Sequence, residues 1–140
     1  MKIIRNILII GALLCVTILG VYYLAINTTK PEATDSPLVS VQEVNKAMAS
    51  KENVTIVDVR TPDEYKTGHL KNSVLLTLDT IESKAAQVLP DKNQKLYVYC
   101  RTGVRSAQAV AELKQMGYTD VHSMEGGITS WQNSGYPVER

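Results

Sequence analysis

Cys100 lies in a short segment whose residue types could ionise a thiol and hold an anion. The segment reads CRTGVR and separates an apolar run at 95–99 from a helical pattern that begins near Val104. A loop that enters a helix leaves successive backbone N–H groups unpaired, and the helix N-terminus adds partial positive charge. Arg101 and Arg105 add two guanidinium groups. Because such surroundings lower the pKa of a cysteine, the segment predicts a thiolate that attacks an anionic substrate.

The rest of this segment is predicted to bind the substrate around the catalytic Cys100. Gly103 lets the loop curl tightly, so that backbone amides can turn toward the sulfur. Two classes of anion fit such a loop: a phosphate ester or arsenate, and a thiosulfate-like sulfur oxyanion. Cysteine phosphatases wrap phosphate with a longer loop than the six residues present here, which favours the sulfur oxyanion. The predicted substrate-binding residues are Arg101, Thr102, Gly103, Val104 and Arg105.

Apolar runs alternate with helical patterns along the chain from about residue 40. Strands are predicted at 54–59, 73–78, 95–99 and 118–123. Helices are predicted at 40–48, from 61, at 80–89, at 104–116 and around Trp131. This alternation predicts an α/β fold in which helices cover both faces of a central parallel sheet. The ligand site of such a sheet lies beyond the carboxyl ends of its strands, and Cys100 follows its strand at that place.

The N-terminal region differs from the rest of the chain. Residues 7–26 carry no charge, and a helix of that length spans ~30 Å, the thickness of the hydrocarbon core of a bilayer. Lys2 and Arg5 precede the run, so the positive-inside rule predicts that the remaining chain lies on the extracytoplasmic side. A cleaved signal peptide, which would release a secreted domain, is the alternative. The predicted organisation is one transmembrane anchor helix at 1–29, a polar linker at 30–37 and a domain at 38–140.

Composition argues against two other classes of protein. The formal net charge is +1 and no basic stripe is present, which gives no support for nucleic-acid binding. The chain has two cysteines, of which one precedes the domain, and two histidines. A zinc site therefore has no support in the sequence.

Four motifs follow one another in the domain. They are Asp58-Val59-Arg60 with Glu64-Tyr65, Gly68-His69-Leu70, Cys100 to Ser106, and Gly126-Gly127 with Trp131. Together and in this order they resemble the single-domain rhodaneses, the thiosulfate sulfurtransferases, whose active-site loop is similar to the third motif. The resemblance extends from about Leu38 to Pro137. It departs from the family at Lys71-Asn72-Ser73, where rhodaneses usually continue with Pro-Gly-Ala.

The resemblance implies a three-layer rhodanese-like fold and a double-displacement reaction. The Cys100 thiolate would take the outer sulfur of thiosulfate, or of a similar donor, and carry it as a persulfide. A thiol or cyanide would then accept that sulfur. The amides of 101–105 would hold the negative charge of the persulfide, and no cofactor or metal is required. Asp58 and Arg60 are expected to form a supporting structural pair, with Glu64 as a further partner of Arg60.

Two other functions remain open from the sequence. One is a cysteine phosphatase or arsenate reductase, and the other is a non-catalytic rhodanese-fold module that binds a protein. For the leading hypothesis the expected partners are a small anionic sulfur donor, a thiol or cyanide acceptor and, through the N-terminal helix, a membrane. No nucleic acid is expected among them.

Overall fold

The computed structural model describes residues 38–140, the predicted domain. Within this part of the chain, no helix is long and apolar enough to cross a membrane. The anchor predicted at 1–29 and the linker predicted at 30–37 lie outside the described residues.

Parallel strands form one sheet across residues 38–140. They are β1 (Leu38–Val39), β2 (Val54–Asp58), β3 (Val74–Leu75), β4 (Lys95–Tyr99) and β5 (Val121–Met124). Their order in the sheet is β1-β5-β4-β2-β3, and every pair is parallel. In the pair of β2 with β4, Asp58 lies opposite Tyr99. This register brings the residues that follow the two strands to the same edge of the sheet, and it confirms the predicted parallel α/β architecture.

Five α-helices lie in the described chain, and two of them begin at capping residues that are visible in the sequence. They are α1 (Val41–Ser50), α2 (Pro62–Thr67), α3 (Ile81–Val88), α4 (Val104–Gln115) and α5 (Gly127–Asn133). The Ser40 hydroxyl accepts the Glu43 amide at 3.2 Å and so caps α1. Thr61 and Glu64 form a reciprocal capping box at α2, with Pro62 at the first helical position.

The side chains of β4 alternate between the two faces of the sheet. Leu96, Val98 and Cys100 lie in a buried cluster with residues of α3 and α4. Tyr97 and Tyr99 lie in a second buried cluster with residues of α1 and α5. The molecule therefore has three layers, with two helices packed on each face of the sheet. Cys100 belongs to the layer that α4 covers.

Two strands are shorter than the sequence predicts, and one was missed. The segment 73–78 is a strand only at Val74–Leu75, because the chain then turns into a 3-10 helix at Leu78–Thr80. In place of the predicted 118–123, the last strand is Val121–Met124, because Tyr118 completes the turn that ends α4 through its amide bond to the Leu113 carbonyl. The strand β1 contains two residues, which is too short to show a period in the sequence.

Candidate active site

Cys100 lies directly after β4, and the first turn of α5 holds the backbone around it. Its carbonyl accepts the Ile128 amide at 2.9 Å. The next carbonyl, that of Arg101, accepts the amide of Thr129 at 3.1 Å and its hydroxyl at 2.9 Å. Cys100 is 1% exposed. The loop that begins at this cysteine is therefore anchored at its start to a neighbouring helix.

Gly126 and Gly127 allow the first turn of α5 to come within hydrogen-bond distance of the Cys100 and Arg101 carbonyls. Both have positive φ, 68° and 58° respectively, a region that residues with a Cβ seldom adopt. A Cβ on Gly127 would collide with the Cys100 carbonyl oxygen and would lie 2.7 Å from the Arg101 carbonyl carbon. The Gly-Gly motif seen in the sequence thus permits the contact that fixes the start of the loop.

Substitution of Gly127 is expected to cost far more stability than substitution of another glycine with a similar backbone. We expect Gly127→Ala to lower the free energy of unfolding by about 2–4 kcal/mol, from the positive φ and the collision together. Gly135 is the matched control, since its φ is 77° and nothing lies within 4 Å of an added Cβ. Urea unfolding of both variants measures the difference. Equal losses would show that the close approach contributes nothing.

The sulfur of Cys100 is surrounded by hydrogen-bond donors. The Gly103 amide donates to it at 3.1 Å, and the Ser106 hydroxyl lies 3.6 Å away. That hydroxyl is also 3.0 Å from the Gly103 carbonyl and 2.8 Å from the Ser123 hydroxyl. The structure therefore gives Ser106, the last residue of the third motif, a contact with the sulfur, and it adds Ser123 to the site. The signal that could have found Ser123 is a serine at a position where the apolar pattern expects a buried residue.

These donors favour the ionised form of Cys100. Burial of the sulfur raises the pKa of the thiol, but the Ser106 hydroxyl and the amides of Ser106, Gly103 and Thr102 oppose it, and the pKa is lowered from its ordinary value. Of the predicted substrate-binding set, the structure thus brings the amide of Gly103 to the sulfur, at 3.1 Å.

Removal of the Ser106 hydroxyl is expected to raise the pKa of the Cys100 thiol, since one donor to the thiolate is lost. The pH at which iodoacetamide alkylation reaches half its maximal rate should therefore move upward in Ser106→Ala. Ser83→Ala is the control, because that exposed hydroxyl, in the first turn of α3, donates to the Thr80 carbonyl and its loss should leave the midpoint in place. An unchanged midpoint in Ser106→Ala would mean that the backbone amides alone set the pKa.

Arg105, in the first turn of α4, is held by a carboxylate from α2. Its Nη1 donates to Glu64 Oε2 at 2.8 Å and its Nη2 to Oε1 at 2.7 Å. The expectation that Glu64 pairs with Arg60 is wrong. Hydrogen bonds from Arg105 lower the pKa of Glu64 to about 2, so that the carboxylate is ionised at neutral pH. The pair is only partly buried, with side-chain exposures of 34% and 30%.

Arg60 turns instead to Asp58, at the end of β2. Its Nη2 and Nε donate to Asp58 Oδ2 at 2.6 and 3.0 Å, and Nη2 also donates to the Gly68 carbonyl at 2.7 Å. The guanidinium carbon lies 5.5 Å from the centre of the Tyr99 ring. Asp58 is 0% and Arg60 5% exposed. The pair joins the end of β2 to the turn at Gly68. Asp58 lies opposite Tyr99, the residue before Cys100, so the pair is at the same edge of the sheet as Cys100.

The remaining residues of the predicted loop face solvent. Arg101 and Thr102 are exposed, and Val104 is 77% exposed, so its side chain makes little contact with the sulfur. Beside Arg105 the surface forms a groove of about 500 Å³. The groove is lined by Val59, Arg60, Thr61, Thr77, Leu78, Asp79, Glu82, Arg105, Gln108 and Glu112. Residues 38–140 contain no group of three or more His, Cys, Asp or Glu side chains that could hold a metal ion.

A buried cysteine whose sulfur accepts a backbone amide lies at the carboxyl end of the central strand of a parallel α/β sheet, the place where such sheets bind ligands. The family model for the rhodanese-like domain matches residues 40–134. This chain belongs to the rhodanese family, and the resemblance seen in the sequence is confirmed.

The similar proteins include named sulfurtransferases. The sulfurtransferase of Allochromatium vinosum is 34% identical over 97 residues, which cover 69% of this chain and 89% of that protein. Thiosulfate sulfurtransferase PspE of Escherichia coli is 37% identical over 70 residues, covering 50% and 67%. The structure of a rhodanese-related protein from Thermoplasma volcanium matches with a TM-score of 0.65 and 32% identity, covering 72% and 95%. Two other relatives are longer, and the chain spans 27% of their length. These relatives support sulfur transfer in general.

Proposed function

We propose that this chain moves a sulfane sulfur atom from an anionic donor such as thiosulfate to a thiophilic acceptor, and that Cys100 carries the atom as a persulfide. The observation that carries the proposal is the set of donors around the Cys100 sulfur, with the Gly103 amide at 3.1 Å. Donors that lower the pKa of the thiol can also hold the negative charge of a persulfide in its place. The similarity to PspE, a thiosulfate sulfurtransferase, supports thiosulfate as the donor.

The proposed reaction has two displacements. In the first, the Cys100 thiolate attacks the outer sulfur of thiosulfate, the S–S bond of the donor breaks, and sulfite leaves with the bonding electron pair. In the second, cyanide or a thiolate attacks the outer sulfur of the persulfide, and the Cys100 thiolate leaves. One sulfur atom is transferred without net oxidation, so the two steps balance without a cofactor or a metal.

The arrangement of Arg105 favours this reaction over phosphate chemistry. An arginine that recognises phosphate presents two parallel N–H groups to the phosphate oxygens. In this loop the Nη1–Nη2 edge of Arg105 is bound to the carboxylate of Glu64, so that one of the edges at which a guanidinium can take an oxyanion is already occupied. A module that only binds a protein partner would not need a thiol whose pKa is lowered by aimed donors. Both alternatives are therefore less well supported than sulfur transfer.

The test is the intact mass of the full chain, purified in detergent, reduced, and treated with thiosulfate. A gain of one sulfur atom that cyanide removes as thiocyanate is the expected result. The absence of any gain from folded, reduced protein would overturn the persulfide mechanism. Treatment with an aryl phosphate under the same conditions should release no phosphate.

We also propose that residues 1–29 anchor the domain on the extracytoplasmic side of a membrane. The uncharged run at 7–26 and the positive charges before it support this placement. Membrane fractions washed with alkaline carbonate should retain the chain, and protease added from the extracytoplasmic side should degrade the domain. Recovery of a shortened, soluble chain would instead indicate a cleaved signal peptide.

A further inference from the structure

The Glu64–Arg105 pair changes the charge that the loop offers to a substrate. Both N–H groups on the outer edge of the guanidinium are used, and the pair contributes no net charge. The Asp58–Arg60 pair is neutral in the same way. Within residues 38–140, the one arginine of the loop that makes no ion pair is the exposed Arg101.

The formal side-chain charges around the nucleophile therefore nearly cancel. The Cys100 thiolate contributes one negative charge and Arg101 one positive charge. Asp79, Glu82 and Glu112 line the groove beside Arg105 and add negative charge on that side. A donor that carries two negative charges gains little from such a site, and each unpaired carboxylate repels it twice as strongly as it repels a donor with one charge.

We propose that Glu64 is a specificity-determining residue that, by neutralising Arg105, turns the site toward sulfane-sulfur donors with a single negative charge and away from the thiosulfate dianion. Such donors include thiol persulfides and thiosulfonates. This inference rests on the proposed function, since it concerns the donor for the same Cys100. Glu64 acts only through Arg105 and is not itself a catalytic residue.

The chemistry is the same for both kinds of donor. With a thiosulfonate, the Cys100 thiolate attacks the outer sulfur, the S–S bond breaks, and a sulfinate leaves with the bonding electron pair. The persulfide on Cys100 is identical to the one formed from thiosulfate. Methanethiosulfonate differs from thiosulfate by a methyl group in place of one charged oxygen. The two compounds therefore form a pair matched in size that differs by one charge.

Glu64→Gln is the decisive variant, because it removes the negative charge and keeps the length of the side chain. The probe is thiocyanate formation with cyanide as acceptor, at low ionic strength, and the measured quantity is kcat/KM for each donor. We expect about a threefold gain in kcat/KM for methanethiosulfonate and about a ninefold gain for thiosulfate. The electrostatic free energy between the donor and Arg105 doubles with the charge of the donor, so the factor in kcat/KM is squared. The gain should lie in KM and should shrink at high salt. Any change in the pKa of Cys100 acts on both donors alike and cancels in their ratio.

Two control variants separate this effect from a loss of structure. Glu64→Asp keeps the charge, so its ratio of the two kcat/KM values should remain that of the unmodified chain. Asp63→Asn removes the same charge from the neighbouring position of α2, where the side chain is 96% exposed and lies 3.7 Å from Lys66. It should leave the ratio unchanged. The midpoint of thermal unfolding reports whether each variant is folded.

The possible outcomes are distinct. A ratio that shifts toward thiosulfate in Glu64→Gln alone supports the inference. An unchanged ratio, or an equal loss for both donors in folded protein, overturns it and leaves Glu64 with a structural role. If neither donor forms a persulfide on the unmodified chain, the proposed function itself has failed.

Discussion

Cys100→Ser is expected to reduce thiocyanate formation from thiosulfate and cyanide by at least about a thousandfold, because the persulfide has no atom on which to form. A serine hydroxyl is not ionised by the donors that lower the pKa of the cysteine thiol. The side chains have nearly the same size, and the Gly103 amide that meets the sulfur at 3.1 Å can donate to the new oxygen. We therefore expect the variant to fold. Intact mass after thiosulfate treatment and the midpoint of thermal unfolding check the two halves of this prediction.

Cys15→Ser is the matched control, since Cys15 and Cys100 are the two cysteines of the chain. It should retain full activity and still gain one sulfur atom per molecule. Activity that survives in Cys100→Ser and disappears in Cys15→Ser would place the sulfur on the other thiol. Such a result would contradict the role proposed for Cys100.

Much of the positioning of Cys100 is local and could be predicted from the sequence. The apolar run from Leu96 to Tyr99 indicates a strand that is buried on both faces. Gly103 and the helical pattern after it indicate a loop that enters a helix. Hydrophobic periods and capping residues act over a few positions, so they can be seen in one sequence. The parallel sheet and the place of Cys100 at its edge follow from them.

The partners of the charged residues could not be predicted in the same way. Glu64 was expected to bind Arg60, four positions away, but it binds Arg105, 41 positions away. The choice depends on how α2 and α4 pack, which no local pattern encodes. The same is true of Ser123, whose hydroxyl lies 2.8 Å from that of Ser106 only because β5 lies next to β4. Side-chain pairing across elements is a property of the tertiary structure.

Arg60→Met should destabilise the domain strongly, because it leaves the Asp58 carboxylate buried without its counter-ion. Removal of one partner from a buried ion pair costs about 3–5 kcal/mol, a large part of the roughly 5–15 kcal/mol by which a domain is stable. The substitution also leaves the Gly68 carbonyl without the donor that reaches it at 2.7 Å. Urea unfolding of the variant measures the loss in the free energy of unfolding.

A double variant separates the ion pair from the packing of the long side chain. The double variant Asp58→Asn with Arg60→Met has no buried charge. In the unmodified chain the backbone N–H of Arg60 donates to Asp58 Oδ1 at 2.9 Å. The amide oxygen of the asparagine can still accept that bond. We expect the double variant to be more stable than Arg60→Met alone, since an unpaired buried charge costs more than an absent pair. Equal or greater loss in the double variant would show that Arg60 stabilises the fold through its packing and its bond to Gly68. The attraction between the Asp58 and Arg60 charges would then not be the source of the stability that Arg60 provides.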